Sequence, residues 1–278
     1  ALFVGSGVAL ALLLALTYRS AVVHWPHAQA ANDDSAQRAW DALLDAPLPQ
    51  NAILVSNDRD EMAPLWYVQH VQGTRQDLTG LFPQLRRGPS WTTVARVTDL
   101  ALATGRPVYL VKPMPGLDIK YDLAPLGGQQ VGPLGPPVAV RPLSNVEPDR
   151  EVDLTFGDSV RLAGYDLLPA TLAPGQSLGV VLYWEPLQLM GADWTSFVQV
   201  LNAEGEKLGQ SDHRPGGDFH PSSLWAPGER LADTHTISLG DRLGSGPYRL
   251  VAGLYVQSGD MLRHLGDPQT IGEISAAR

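Results

Sequence analysis

The chain has 278 residues, a formal net charge of −9 at pH 7 and no cysteine. The missing cysteines exclude disulfides, thiolate catalysis, CxxC redox chemistry and cysteine-ligated zinc or iron–sulfur sites, and the acidic balance argues against a nucleic-acid partner, which needs a basic stripe for phosphates. With 44% hydrophobic and 18% charged residues, wholesale disorder is excluded, and the length suits two domains or one large one.

The first residues are apolar. Leu2 to Leu16 is interrupted only by Gly5-Ser6-Gly7, then Thr17-Tyr18-Arg19-Ser20 precedes Ala21-Val22-Val23-His24-Trp25. A spanning helix needs ~20 apolar residues for a ~30 Å hydrocarbon layer. Leu2–Val23 meets that length if Arg19 snorkels to the interface, with Tyr18 and Trp25 as interfacial aromatics. A transmembrane helix over residues 1–25 is therefore expected. Ala28-Gln29-Ala30 looks like a signal-peptidase site, but the basic n-region is missing and the stretch from Thr17 is too long for a c-region.

Residues 32–123 read as a small α/β domain. Asp33, Asp34 and Ser35 can cap a helix with apolar positions Ala36, Ala39, Trp40, Leu43 and Leu44. Ala52-Ile53-Leu54-Val55 is a short, continuously apolar run, as in a strand covered on both faces. A second helix follows from about Asp60, with Pro64 in its first turn and Gly73 at its end. Leu78–Leu85 reads as extended, Trp91–Ala103 as helix, and Pro107–Val111 as a third strand. The order predicts a parallel βαβαβ unit with right-handed crossovers. Ligands of such sheets favour loops at the carboxyl ends of strands. The first of these loops offers Asn57, Asp58 and Asp60, which can hold a hard cation or sugar hydroxyls, or simply cap and turn the chain. No GxGxxG or GxxxxGK[ST] follows the first strand, so a nucleotide phosphate cradle is absent.

Several segments of this region form a recognisable set: Ile53-Leu54, Asn57-Asp58, Pro64-Leu65-Trp66-Tyr67, Gln69, Gly73, Arg75 and Asp77, with Gly116-Leu117-Asp118-Ile119-Lys120-Tyr121-Asp122-Leu123 further along. The set resembles the extracytoplasmic C-terminal region of DUF2723-type, GT-C glycosyltransferase-like polytopic membrane proteins. Arg59-Asp60-Glu61-Met62-Ala63 stands where that family has a longer, more polar turn. The resemblance covers roughly a quarter of the chain and implies the tail of such a protein, on the extracytoplasmic side of the cell membrane. It carries over no catalytic residue, because the catalytic acid of GT-C enzymes sits on an early loop among many membrane helices.

Residues 124–150 are dense in Pro and Gly and read as a linker. From residue 124 onward the chain carries 18 acidic and 10 basic residues, so −8 of the net −9 lies there. Past Glu151 the hydrophobic period becomes two. Tyr248, Leu250, Ala252, Leu254 and Val256 alternate with Arg249, Val251, Gly253 and Tyr255. Further strands are expected at Val160–Leu168, Leu178–Glu185, Ser196–Leu201, Glu206–Ser211, Leu231–Leu239 and Met261–Leu265. Ala173-Pro174-Gly175 recurs as Ala226-Pro227-Gly228. Pro-Gly suits the centre of a type II turn, so each copy is expected to launch a strand. Residues 151–278 are thus expected to form an immunoglobulin-like β-sandwich.

The expected fold class is α+β multidomain: an N-terminal transmembrane helix, a small parallel α/β domain and a C-terminal immunoglobulin-like sandwich. Trp184, Trp194 and Trp225 can stack on sugar rings or pack the core. The neighbours Asp212/His213, Asp218/His220 and Asp233/His235 match no known metal motif. No catalytic residue, metal or cofactor is assigned. The expected role is non-catalytic binding or assembly in an extracytoplasmic, membrane-anchored part of a glycosyltransferase-like protein. A single-span accessory subunit of a membrane complex is the alternative. The expected partners are the lipid bilayer, other membrane protein chains or helices, and a glycan, with no nucleic acid. A soluble hydrolase is disfavoured by the lack of a GxSxG elbow.

Overall fold

A computed structural model describes residues 14–25, 34–127, 134–143, 147–241, 243, 246–259 and 261–276. The chain is β-rich: fifteen strands in three sheets and four α-helices among the described residues.

The expected transmembrane helix is corrected. Among the described residues no helix is long and apolar enough to cross a membrane. The described part of α1 runs over 14–25, which at 1.5 Å per residue reaches about 18 Å, and it carries Thr17, Arg19 and His24. Residues 1–13 of the expected span lie outside the described residues.

The first sheet has five strands in the order β2-β1-β3-β5-β4. β1 (Ile53–Val55) pairs in parallel with β2 (Thr79–Leu81) and β3 (Val108–Leu110). β5 (Val138–Pro142) then joins β3 antiparallel, and β4 (Tyr121–Pro125) pairs antiparallel with β5. The expected separate parallel βαβαβ domain followed by a linker is therefore corrected. The sheet is mixed, and the Pro/Gly-rich stretch supplies one of its strands. Val138 and Val140 are buried; they are too short an apolar run to read as a strand before a neighbour is known to cover them.

Both faces of this sheet are covered. α2 (Ser35–Asp45) and α3 (Arg59–His70) bury Trp40, Leu43, Met62 and Leu65 with Leu54 on one side, and α4 (Val94–Leu102) packs Val94 and Val97 with Ile53, Val55 and Leu110 on the other. Gly80 of β2 lets α3 sit close, since a Cβ there would lie 2.8 Å from Met62 Sδ and 2.9 Å from Leu65 Cδ2. Pro64 stands in the second turn of α3, past the first-turn position expected for it.

The other two sheets pack over one core. The four-stranded sheet has the order β12-β9-β7-β6, with β6 Arg150–Phe156, β7 Val160–Leu168, β9 Ser177–Pro186 and β12 Leu231–Ser238. The six-stranded sheet has the order β11-β10-β13-β15-β8, with β14 (Met261–His264) paired to β13. Its strands are β8 Thr171–Leu172, β10 Thr195–Leu201, β11 Lys207–His213, β13 Tyr248–Ser258 and β15 Gln269–Ala276. Inward residues of both sheets, among them Leu162, Leu182, Val198 and Leu250, form a single buried cluster. Each Pro-Gly copy makes its turn: Gln176 N donates to Ala173 O and Glu229 N to Ala226 O, with Gly175 and Gly228 at positive φ. β9 begins two residues after the first glycine, and β12 three residues after the second.

Candidate functional site

The β1–α3 loop is explained by local hydrogen bonding. Asp58 is the N-cap of α3, in extended backbone, with its Oδ1 accepting from Asp60 N at 2.8 Å. Asp60 pairs with the exposed Arg59 at 3.0 Å, and Asn57 is exposed. Asp60 and Glu61 in the first turn also complement the helix dipole. Glu61 bonds Ser56 Oγ and Lys112. Trp184, Trp194 and Trp225 are core residues, 0%, 4% and 0% exposed. Trp194 has the Arg263 guanidinium 5.1 Å from its ring, and Trp225 donates to His220 O at 3.0 Å. None of the three offers a free ring face for a ligand.

The five-stranded sheet and the two-sheet unit interlock along the segment after β3. Ile119 enters the two-sheet core, and Phe219 packs against the core of the other unit. Gly116, at φ +96, touches the backbone of Gly216; a Cβ would sit 2.0 Å from Gly216 O. Beside it lies a chain of charges. Lys120 Nζ donates to Asp99 at 2.7 Å and to Glu229 at 2.6 Å. Tyr121 Oη donates to Ala95 O and Asp99, each at 2.7 Å, and His220 Nε2 lies 3.2 Å from Glu229 Oε2. Burial alone would push Glu229 up, but the bonds from His220 and Lys120 outweigh it and hold the carboxyl at about 2. Burial pushes the Tyr121 phenol far above its ordinary value, with Asp99 adding to the effect.

On the other side of the interlock is a cleft of about 300 Å³, lined by Gly116, Asp118, His213, Arg214, Gly217 and Asp233 among others. At its floor, edge strands β11 and β12 of the two different sheets bring three side chains together. Asp233 and His235 are two apart on β12, so both face inward. His213 comes from the end of β11. His213 Nε2 lies 2.7 Å from Asp233 Oδ1, and His235 Nε2 lies 3.1 Å from Asp233 Oδ2. Trp184 Nε1 donates to Asp233 Oδ2 at 3.2 Å. His235 also meets Ser196 Oγ at 3.0 Å through Nε2 and Ser211 Oγ at 3.3 Å through Nδ1. Asp233 and His235 are buried, whereas the His213 side chain is 38% exposed toward the cleft. Burial raises Asp233, but the two imidazoles more than offset that and hold it well below the usual carboxylate range. The bond to Asp233 raises His213 above the ordinary imidazole value against its partial burial.

This grouping crosses the sequence neighbours. Asp212 points to the opposite face, where it accepts from Tyr255 Oη at 3.0 Å, and the partner of His220 is Glu229. The only local signal for the trio is the Asp233-x-His235 alternation on a strand.

The outer face of the six-stranded sheet carries a second polar–aromatic array. Phe197, Tyr255 and His264 form a ring cluster with centroids 5.9–6.1 Å apart. Phe197 lies across Gly253, where a Cβ would come within 2.8 Å of the ring. Beside the cluster, Gln199 Nε2 donates to Gln210 Oε1 at 3.1 Å and Lys207 Nζ donates to the same oxygen at 2.6 Å. Lys207, Gln210, Asp212 and His264 are exposed and Tyr255 is half-buried.

No protein-family model and no curated protein matches this chain. Solved structures resemble parts of it. The C-terminal domain of wzt is 13% identical, with 49% of this chain and 87% of that chain covered, at a TM-score of 0.36. A glycosyl hydrolase family 2 member from Bacteroides cellulosilyticus is 7% identical, with 58% of this chain and 18% of that one covered, at a TM-score of 0.25. Likeness at this level carries nothing about what this chain binds or does.

Proposed function

We propose that this chain is a non-catalytic binding and assembly part of a glycosyltransferase-like protein, and that its ligand is a glycan held on the outer face of the six-stranded sheet. The observation that carries this reading is the array of Tyr255, His264, Gln199, Gln210 and Asp212 on one sheet face. A Tyr ring offers an apolar face with a polar handle, which suits the C–H face of a sugar. Two amides and a carboxylate beside it supply both donors and acceptors for hydroxyls. An extracytoplasmic location belongs to the same proposal and rests on the segment resemblance at residues 53–77 and 116–123.

Calorimetric titration of the chain with neutral and acidic oligosaccharides tests it. Saturable binding is expected, weakened about tenfold by Tyr255→Ala, the loss of roughly 1.4 kcal/mol of contact. Heats indistinguishable from dilution across the panel, or equal affinity in the Tyr255→Ala variant, would overturn the reading.

A further inference from the structure

We propose that His213, Asp233 and His235 form a binding site for one divalent transition-metal ion of the zinc class, reached from the cleft beneath Gly116 and Asp118. This inference is independent of the glycan reading, since the two faces of β11 point in opposite directions. The three ligand atoms all lie within 4.8 Å of one another. Two imidazoles with one carboxylate suit zinc and its neighbours, whereas calcium and magnesium prefer all-oxygen sets. Ligands ~2.1 Å from a tetrahedral ion stand ~3.4 Å apart, so the present contacts of 2.7 and 3.1 Å need only a small spreading to admit one.

The hydrogen bonds around the trio favour a cation between its members. Both histidines direct Nε2 at one buried carboxylate, each at a different oxygen. Ser211 Oγ sits against His235 Nδ1 and can accept from it, so the proton an ion would replace is the one on Nε2, between Asp233 Oδ2 and Ser196 Oγ. Outer partners of this kind fix the tautomer and ring orientation of metal-binding histidines. Trp184 Nε1 holds the carboxylate from behind. The two imidazole rings lie with centroids 4.4 Å apart, tilted by 43°, a close approach that one shared ion accounts for. His213 faces the cleft, which gives an entry path and room for water as the remaining ligand, and Asp118 and Asp212 add negative potential at His213.

Titration of the whole chain with Zn2+, and with Co2+ as a spectroscopic stand-in, tests the site. One equivalent is expected, with the visible absorption of a four-coordinate Co2+ bearing nitrogen ligands. His213→Ala, at the half-exposed position, keeps the fold by circular dichroism and weakens binding by at least about tenfold. Ser211→Ala weakens it within the roughly 10–100-fold range of such outer partners. His70→Ala, on the exposed end of α3, leaves it unchanged. Absence of saturable binding, or equal affinity in folded His213→Ala, would show a purely hydrogen-bonded ion pair and sink the proposal.

Discussion

Gly116 and Gly105 both adopt positive φ, at +96 and +71, but their surroundings separate two effects. At Gly105 a Cβ meets nothing within 4 Å, so Gly105→Ala costs only the left-handed backbone, about 1 kcal/mol. At Gly116 the added carbon also strikes the Gly216 backbone. Gly116→Ala is therefore expected to cost about 1–3 kcal/mol beyond that. Urea unfolding of the two variants checks the ordering, and equal midpoints would count against the interlock. Glycine at a helix end is legible in sequence because it answers a local backbone demand. The need for glycine at 116 depends on a loop one hundred residues away, which no local pattern carries.

The strands of the two-sheet unit follow from alternation, and the tryptophans on and beside them follow from packing. Trp225 comes after the one-turn helix Ser222–Leu224 and fills the core with no exposed area. Trp225→Ala is expected to destabilise by about 3–5 kcal/mol, through lost burial and the cavity left behind. Tyr67→Ala, on the exposed side of α3, is expected to stay within about 0.5 kcal/mol. Thermal denaturation of both distinguishes core from surface aromatics. In sequence, Trp184, Trp194 and Trp225 read as sugar platforms or as core, the core being favoured by tryptophan's usual burial, because ring type alone does not say which sheet face is covered. β6 and β15 were not read as strands because each is interrupted by a register shift: in β6 regular pairing resumes only at Leu154 after Glu151, and in β15 the buried Ile271 and Ile274 stand three apart instead of two.

At the scale of the whole molecule, the Asp99–Lys120–Glu229–His220 chain ties the five-stranded sheet to the two-sheet unit. Glu229 is held at about 2 against an ordinary value of 4.5. A depressed carboxyl contributes its stability fully above the unfolded value and loses it as pH falls through the folded one. Acid loss of stability from this group therefore lies between about pH 4.5 and pH 2. The Glu229→Gln variant is expected to be less stable at pH 7 and to show a shallower decline over that window, measured as urea midpoint against pH. An unchanged acid limb would mean the network does not couple the two units. The Asp58 cap of α3, short apolar strands, period-two alternation and the paired Pro-Gly turns were readable along the chain, since each depends on residues within one or two turns of one another, whereas Asp34, expected to cap α2, makes no side-chain cap hydrogen bond. The placement of β5, the burial of the tryptophans and the meeting of His213 with Asp233 and His235 were settled only by tertiary structure. His213 and Asp233 are 20 positions apart and Lys120 and Glu229 109, and which of many polar side chains meet at such distances depends on how the sheets register and pack.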